Sequence, residues 1–417
     1  MQVENTITTY RQDESTKIRV GHSLCISSFE LLTLSAWAHV GLLFFVGVVL
    51  NLLTGDAIVS QVVSVTYYII LVALSFKEIC KTIRFKDFMF LIFVVVVILY
   101  SFNIYPEGKE TVLEKLPELF FQVLSFYFVG ILMKTDEEYT DKAYIISAIA
   151  VIINWIYIFV FNASGRVMVE DNMTMGYQVL PYALFCLWYA LQKPSRTKTI
   201  FAGLGVIFVL SMGTRGPLLS IVLFAVVFLL FGTYKHQRTV RILTIAIGTL
   251  LFLFILSGLY ESVLAAIGSI LRSVGLSSRI VDSIIYNSAE SSGFARDRIR
   301  VAIYNAIQQR PYSGYGIYGE EAMLGYKSHS IIYGMWFHFG IIVGSVFMSL
   351  LTLKFLKASI ITKESFSRGL FFVVLANGLV RCFFSGTYLC APLFLALGLA
   401  VNLTRQSREK GSQVRGE

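Results

Sequence analysis

Charge is scarce in this sequence, and negative charge is almost missing from its apolar stretches. Only 15% of the 417 residues are charged, against 56% hydrophobic, and mean hydropathy is +0.70. A soluble core needs far less apolar sequence than this. The near absence of Asp and Glu from the apolar runs argues against a proton- or ion-coupled transporter, which keeps carboxylates inside its spans. Cysteine is also rare. Cys25, Cys80, Cys186, Cys382 and Cys390 form no CxxC pair, so neither a metal nor a redox centre is expected. Cys382 and Cys390 fall near one another at the outer end of one hairpin, where either two packed thiols or a disulfide fits. HExxH, P-loop and Ser-His-Asp arrangements are lacking, which argues against membrane proteolysis and ATP-driven transport. Residues 1–30 are polar and mixed in charge, unlike a cleaved signal peptide, so the first apolar run reads as a signal anchor.

What is present is a succession of apolar runs near the ~20 residues that cross a bilayer as a helix. They fall at 31–53, 57–76, 88–105, 118–133, 143–161, 175–192, 199–213, 217–232, 242–259, 329–353, 369–382 and 385–403. The fold class expected is all-α: a polytopic integral membrane protein of about 12 transmembrane helices with one large outer-side helical loop. The division is a cytoplasmic segment (1–30), helices one to nine (31–259), a periplasmic or extracellular loop (260–328), helices ten to twelve (329–403) and a cytoplasmic tail (404–417).

Basic residues orient this chain. One set of connections carries Arg11, Lys17, Arg19, Lys77, Lys81, Arg84, Lys86, Lys134, Lys142, Lys193, Arg196 and Lys198. The same set continues with Lys235, Arg238, Arg241, Lys354, Lys357, Lys363, Arg368, Arg405, Arg408, Lys410 and Arg415. The short connections opposite hold only Lys109, Lys115, Arg166, Arg215 and Arg381. That bias is expected to place both termini of a multi-pass membrane protein in the cytoplasm. The net charge of +9 is thereby explained by topology, and nucleic acid is not an expected partner.

The long loop is not a disordered composition. Leu264, Ile267, Ile270 and Leu271 recur at helical spacing, as do Ile299, Ile303, Ala306 and Ile307, which predicts amphipathic helices over the membrane domain. On the second of these, Arg296, Arg300 and Tyr304 share the face opposite the isoleucines. Such a row is either a solvated helix face or a set of fixed donors suited to phosphate oxygens.

Two further arginines stand where a charge is costly. Arg215, in Thr214-Arg215-Gly216-Pro217, follows a run too short to span, and Arg381 sits near the outer end of another short run. Each either snorkels to headgroups or faces an anion. Beyond the loop, Pro311-Tyr312-Ser313-Gly314-Tyr315-Gly316 precedes Lys327-Ser328-His329-Ser330. His329 is a candidate general base or an interfacial hydrogen-bonding residue. His338 lies nine positions on, round the far side of a helix, and is not expected to share its site. Tyr312, Tyr315, Tyr318 and Tyr326 fit either sugar stacking or an aromatic belt.

In this order, Thr-Arg-Gly-Pro-Leu-Leu, an outer loop with Arg-x-x-x-Tyr, Pro-x-x-Gly-x-Gly and Ser-His-Ser before a Gly-containing span, the chain resembles the bacterial O-antigen polymerase and ligase family, GT-C-like integral membrane glycosyltransferases. The resemblance implies transfer of glycan from an undecaprenyl-diphosphate carrier to an acceptor sugar hydroxyl, with no cofactor and no metal, in a bacterial inner membrane. It implies that Arg215 and Arg300 hold the diphosphate and that His329 activates the acceptor; Arg381 and Arg296, by their positions in the sequence, are read as further diphosphate contacts. Membrane lipid, the carrier-linked oligosaccharide and a chain-length regulator protein are the partners it suggests. The family's usual His-Asn reads His329-Ser330 here, and the aromatic after Arg300 is Tyr304 where Trp is common.

Overall fold

The structure is a computed structural model describing residues 26–38, 57–163, 171–212, 215–231, 289–384 and 387–413, with isolated positions at 266, 269–270 and 273. The span expected at 242–259, most of that at 31–53, most of the loop helix around Leu264–Leu271, and Arg166, Lys235, Arg238 and Arg241 lie outside the described residues.

Among the described residues every element is helical and no strand occurs. Four helical stretches are long and apolar enough to cross a membrane: Phe85–Ile104, Pro106–Leu132, Glu137–Phe159 and Ile331–Ile361. In order the helices are α1 (Ser28–Ala38), α2 (Ala57–Leu74), α3 (Phe76–Thr82), α4 (Phe85–Ile104), α5 (Lys109–Pro117), α6 (Ser125–Leu132), α7 (Glu137–Ala163) and α8 (Asp171–Gln192). They continue as α9 (Arg196–Ser211), α10 (Arg215–Phe231), α11 (Ala289–Gln309), α12 (Gly319–Leu324), α13 (Ile331–Ile361), α14 (Ser365–Phe384) and α15 (Ala391–Gln413). Between α5 and α6 the chain runs as a π-helix over Glu118–Leu124. Pro117 starts that irregularity, because its nitrogen has no hydrogen to give the preceding turn.

Contacts sort the helix ends into two groups. At one end Arg405 holds Asp87 (2.6 Å) and the Thr82 carbonyl (3.1 Å), and Asn402 donates to the Met133 carbonyl at 2.8 Å. Ser367 reaches the Thr135 carbonyl (3.0 Å), and Lys193 reaches Asp141 (3.0 Å). Glu30 is clamped there by Lys134 and Lys142, both at 2.8 Å. At the other end Arg310 donates to the Ile104 carbonyl (2.8 Å), and the Ile317 N–H to Ser101 Oγ (2.9 Å). Successive helices therefore run to and fro between two ends.

Small residues let the helices approach. A Cβ at Gly130 of α6 would lie 2.7 Å from the Leu399 nitrogen, and one at Gly398 of α15 would meet the Tyr127 carbonyl. With hydrocarbon outside, close packing of this kind replaces the hydrophobic drive between helices. The outward faces remain apolar. On α4, Phe88, Ile92, Val96 and Leu99 are exposed, and on α13 Ile342, Val346, Leu350, Leu353 and Ile360 form one stripe, with Ile360 73% exposed. Such stripes suit lipid as their solvent.

Two helices differ from expectation. The apolar run at 369–382 belongs to a 20-residue helix beginning at Ser365, which rises ~30 Å at 1.5 Å per residue. Arg381 therefore does not end a stunted helix; its serine-initiated first turn was too polar to register as a span. The run at 329–353, expected as one span, is interrupted. Gly340 has φ 75° and ψ 168°, which no helix contains. The chain turns so sharply there that a Cβ at Gly344 would lie 2.6 Å from the Met335 carbonyl. Residues 341–361 then form the part of α13 with the lipid-like stripe.

Candidate functional site

The break at Gly340 organises the end of the bundle where the candidate residues lie. It strips helical partners from neighbouring backbone groups, and Pro311–Gly316 supplies replacements. Tyr315 N–H donates to the Phe337 carbonyl (2.8 Å), Gly316 N–H to the His338 carbonyl (2.9 Å), and Ile341 N–H to the Pro311 carbonyl (2.7 Å). Buried backbone must find partners somewhere, and here a loop docks into the gap. Gly314 and Gly316 carry φ 65° and 77°, and a Cβ on either would strike the Phe337 and His338 carbonyls or Ser101. The two glycines of the Gly-x-Gly motif are thus docking residues.

The rest of this cap is stapled on. Arg310 lies over the rings of Tyr315 (5.0 Å) and Tyr105 (5.8 Å) while bonding the end of α4. Tyr315 stacks on Phe337 at 4.7 Å, and Tyr318 is buried. These two tyrosines are core side chains, which removes them from the sugar-stacking set proposed from sequence. Tyr312 is exposed and Tyr326 half-buried. Lys115 and Lys327 bridge Glu118 and Glu321 at 3.5–3.8 Å, tying α12 to the π-helix.

Helix α11 packs on α13 through Ile303, Ala306 and Ile307, all buried with Tyr315 and Phe337. Its opposite face holds Arg300 exposed, and Tyr304 51% exposed. Arg296 lies one turn earlier on the same helix, with its side chain outside the described residues. His329 lies two residues before α13 in a half-buried turn with a left-handed φ of 51°, rare for a residue with a Cβ. Beside it, buried Ser328 donates to the Ser330 carbonyl at 3.2 Å. Arg215 is the first residue of α10, and Arg381 lies on the last turn of α14; the side chains of both are outside the described residues. Helices α10 and α14 pack together, as do α11 with α13 and α13 with α14. Arg215 and Arg381 thus lie on two helices that pack together, and Arg300 lies on a helix packed against the one that follows His329.

A second cluster escaped sequence reasoning. His338 and Glu320 are each 1% exposed, with Nε2 and Oε2 3.8 Å apart, too far for a hydrogen bond. His338 Nδ1 pairs with the Tyr388 hydroxyl at 2.7 Å. Burial pushes the Glu320 carboxyl up to about 7, against hydrogen bonds from Ser328 that pull it down. Glu320 sits in an exposed-looking Gly-Glu-Glu sequence, and helix periodicity put His338 away from His329. Only the break at Gly340, itself readable as one more glycine in an apolar run, brings α12, α13 and the segment before α15 together. Among the described residues no three His, Cys, Asp or Glu side chains gather as a metal set. No family model matches this sequence, and no curated protein is detectably similar to it.

Proposed function

We propose that this protein is a membrane glycosyltransferase that moves glycan from an undecaprenyl-diphosphate carrier to an acceptor sugar hydroxyl, polymerising O-antigen or capsule repeat units. The observation that carries this reading is the two-faced helix α11. Its isoleucine face is buried in the cap, while Arg300 and Tyr304 are exposed on the other side, on a helix packed against the one that His329 precedes. Guanidinium groups present several fixed donors to phosphate oxygens and stabilise charge growing on a departing diphosphate. Arg300 and Arg215 take that role, with Arg296 and Arg381 as further contacts. His329 accepts the proton of the attacking hydroxyl. Attack opposite the leaving group inverts the anomeric carbon. On this reading the enzyme sits in a bacterial plasma membrane, and the bias of basic residues supports an orientation with the cap outside and both termini in the cytoplasm.

A ligase attaching polymer to lipid A core uses the same donor chemistry. One observation favours a different class. The discontinuity of α13 at Gly340 is a feature of transporters, and so of a flippase for lipid-linked glycans. Against it, the backbone groups freed at the break are taken by the cap, and the apolar helices hold few carboxylates for ion coupling.

Deletion of the gene with gel analysis of surface polysaccharide separates these readings. Single repeat units on the surface identify a polymerase. Accumulated carrier-linked polymer identifies a ligase, and lipid-linked units retained inside identify a flippase. An unchanged ladder overturns all three.

A further inference from the structure

Cys382 ends the buried part of α14, and Cys390 lies directly before α15. Their Sγ atoms are 3.2 Å apart, closer than two sulfurs usually pack without bonding. Cys382 is buried and Cys390 half-buried. Among the described residues the other thiols lie elsewhere: Cys186 is buried within α8, and Cys80 is exposed on α3 at the opposite end of the bundle.

We propose that Cys382 and Cys390 are a disulfide-forming pair that closes a ring around Tyr388. The contact needs a shift of about one ångström to reach the ~2.05 Å of an S–S bond. The order of events follows from exposure. A small disulfide oxidant meets half-buried Cys390 first. The Cys390 thiolate attacks one oxidant sulfur and expels one thiolate, leaving a mixed disulfide. Cys382 then attacks the Cys390 sulfur and expels the second thiolate, which takes up the Cys382 proton. Two protein thiols lose two electrons and two protons, and one oxidant disulfide becomes two thiols.

The ring has a structural consequence. The Cys390 N–H donates to the Tyr388 carbonyl (2.9 Å), and the Leu389 N–H to Thr387 Oγ1 (3.2 Å). That turn presents the Tyr388 hydroxyl to His338. A bond between Cys382 and Cys390 fixes both ends of the turn and restricts the unfolded chain, so the oxidised form is the more stable.

The test uses the full chain in native membranes, treated with oxidised glutathione or with dithiothreitol, then acid-quenched, alkylated and digested. Oxidation is expected to protect two of the five cysteines, to yield a peptide linked through Cys382 and Cys390, and to raise the melting temperature by a few degrees. Cys390→Ser is expected to lose the linked peptide and the temperature shift, and Cys80→Ser to keep both. Five alkylated thiols after oxidation, a glutathione adduct without ring closure, or a link to any other cysteine overturns the proposal. These outcomes concern wild-type protein first, so a variant that fails to fold does not rescue it.

Discussion

Gly316 donates its N–H to the carbonyl of His338 at 2.9 Å, joining the Gly-x-Gly loop to the first stretch of α13, which ends at Gly340. One hydrogen bond thus connects the loop motif, the helix break and the buried histidine.

Gly340→Ala is expected to unfold the cap. The φ of 75° with ψ of 168° is glycine territory, and a Cβ would lie 2.8 Å from the Pro311 carbonyl. Strain of this kind costs about 1–3 kcal/mol before any steric clash is added. Thermal denaturation in detergent should show a clear fall, and wild-type melting would mean the chain can cross this point as ordinary helix.

Tyr388→Phe removes the partner of His338 Nδ1 and leaves a buried polar atom unsatisfied, at about 1–3 kcal/mol. Adding His338→Phe removes the orphaned group as well. The double variant should therefore lose less than the sum of the single losses, and strict additivity would show that the two residues are not coupled.

Two buried carboxylates predict opposite pH dependences in separate windows. Glu320 ionises near 4.5 unfolded and about 7 folded, so between those values the folded chain holds the extra proton. Stability therefore falls as pH rises from about 4.5 to 7, by at most ~1.4 kcal/mol per unit, and Glu320→Gln should flatten that limb. Glu30 behaves the other way. Burial works to raise it, but hydrogen bonds from Lys134, Lys142 and the Ser27 N–H hold it down to about 2 from 4.5. Its stabilisation is complete above 4.5 and is lost as pH falls toward 2, a loss that Glu30→Gln should abolish. Melting curves across both windows, for wild type and each variant, check the two signs.

At the proposed catalytic site, His329→Gly keeps the left-handed turn and removes the imidazole. Polymer is expected to fall by ~10²-fold or more, a usual scale for losing a general base, with the melting temperature unchanged. Arg300→Ala, on an exposed helix face, should likewise abolish polymer without unfolding. Arg215→Ala should do the same. A full-length polysaccharide ladder from all three variants rules out the site.

Much of this was legible in the residues alone. Apolar runs and scarce charge specified what the described residues are, helices with four of membrane length, because a bilayer demands segments that satisfy their own backbone. The isoleucine spacing around Ile303 specified which face of α11 is buried, since periodicity reports burial directly. Tertiary structure decided what periodicity cannot carry. Gly340 breaks α13 only because Pro311–Gly316 takes over the backbone groups it frees, a contact made across more than twenty residues. The same fold turned Tyr315 and Tyr318 into core, joined His338 to Glu320 and Tyr388, and brought Cys382 against Cys390. Local pattern fixes the faces of helices, whereas the partners of polar groups depend on which segments the closed chain places side by side.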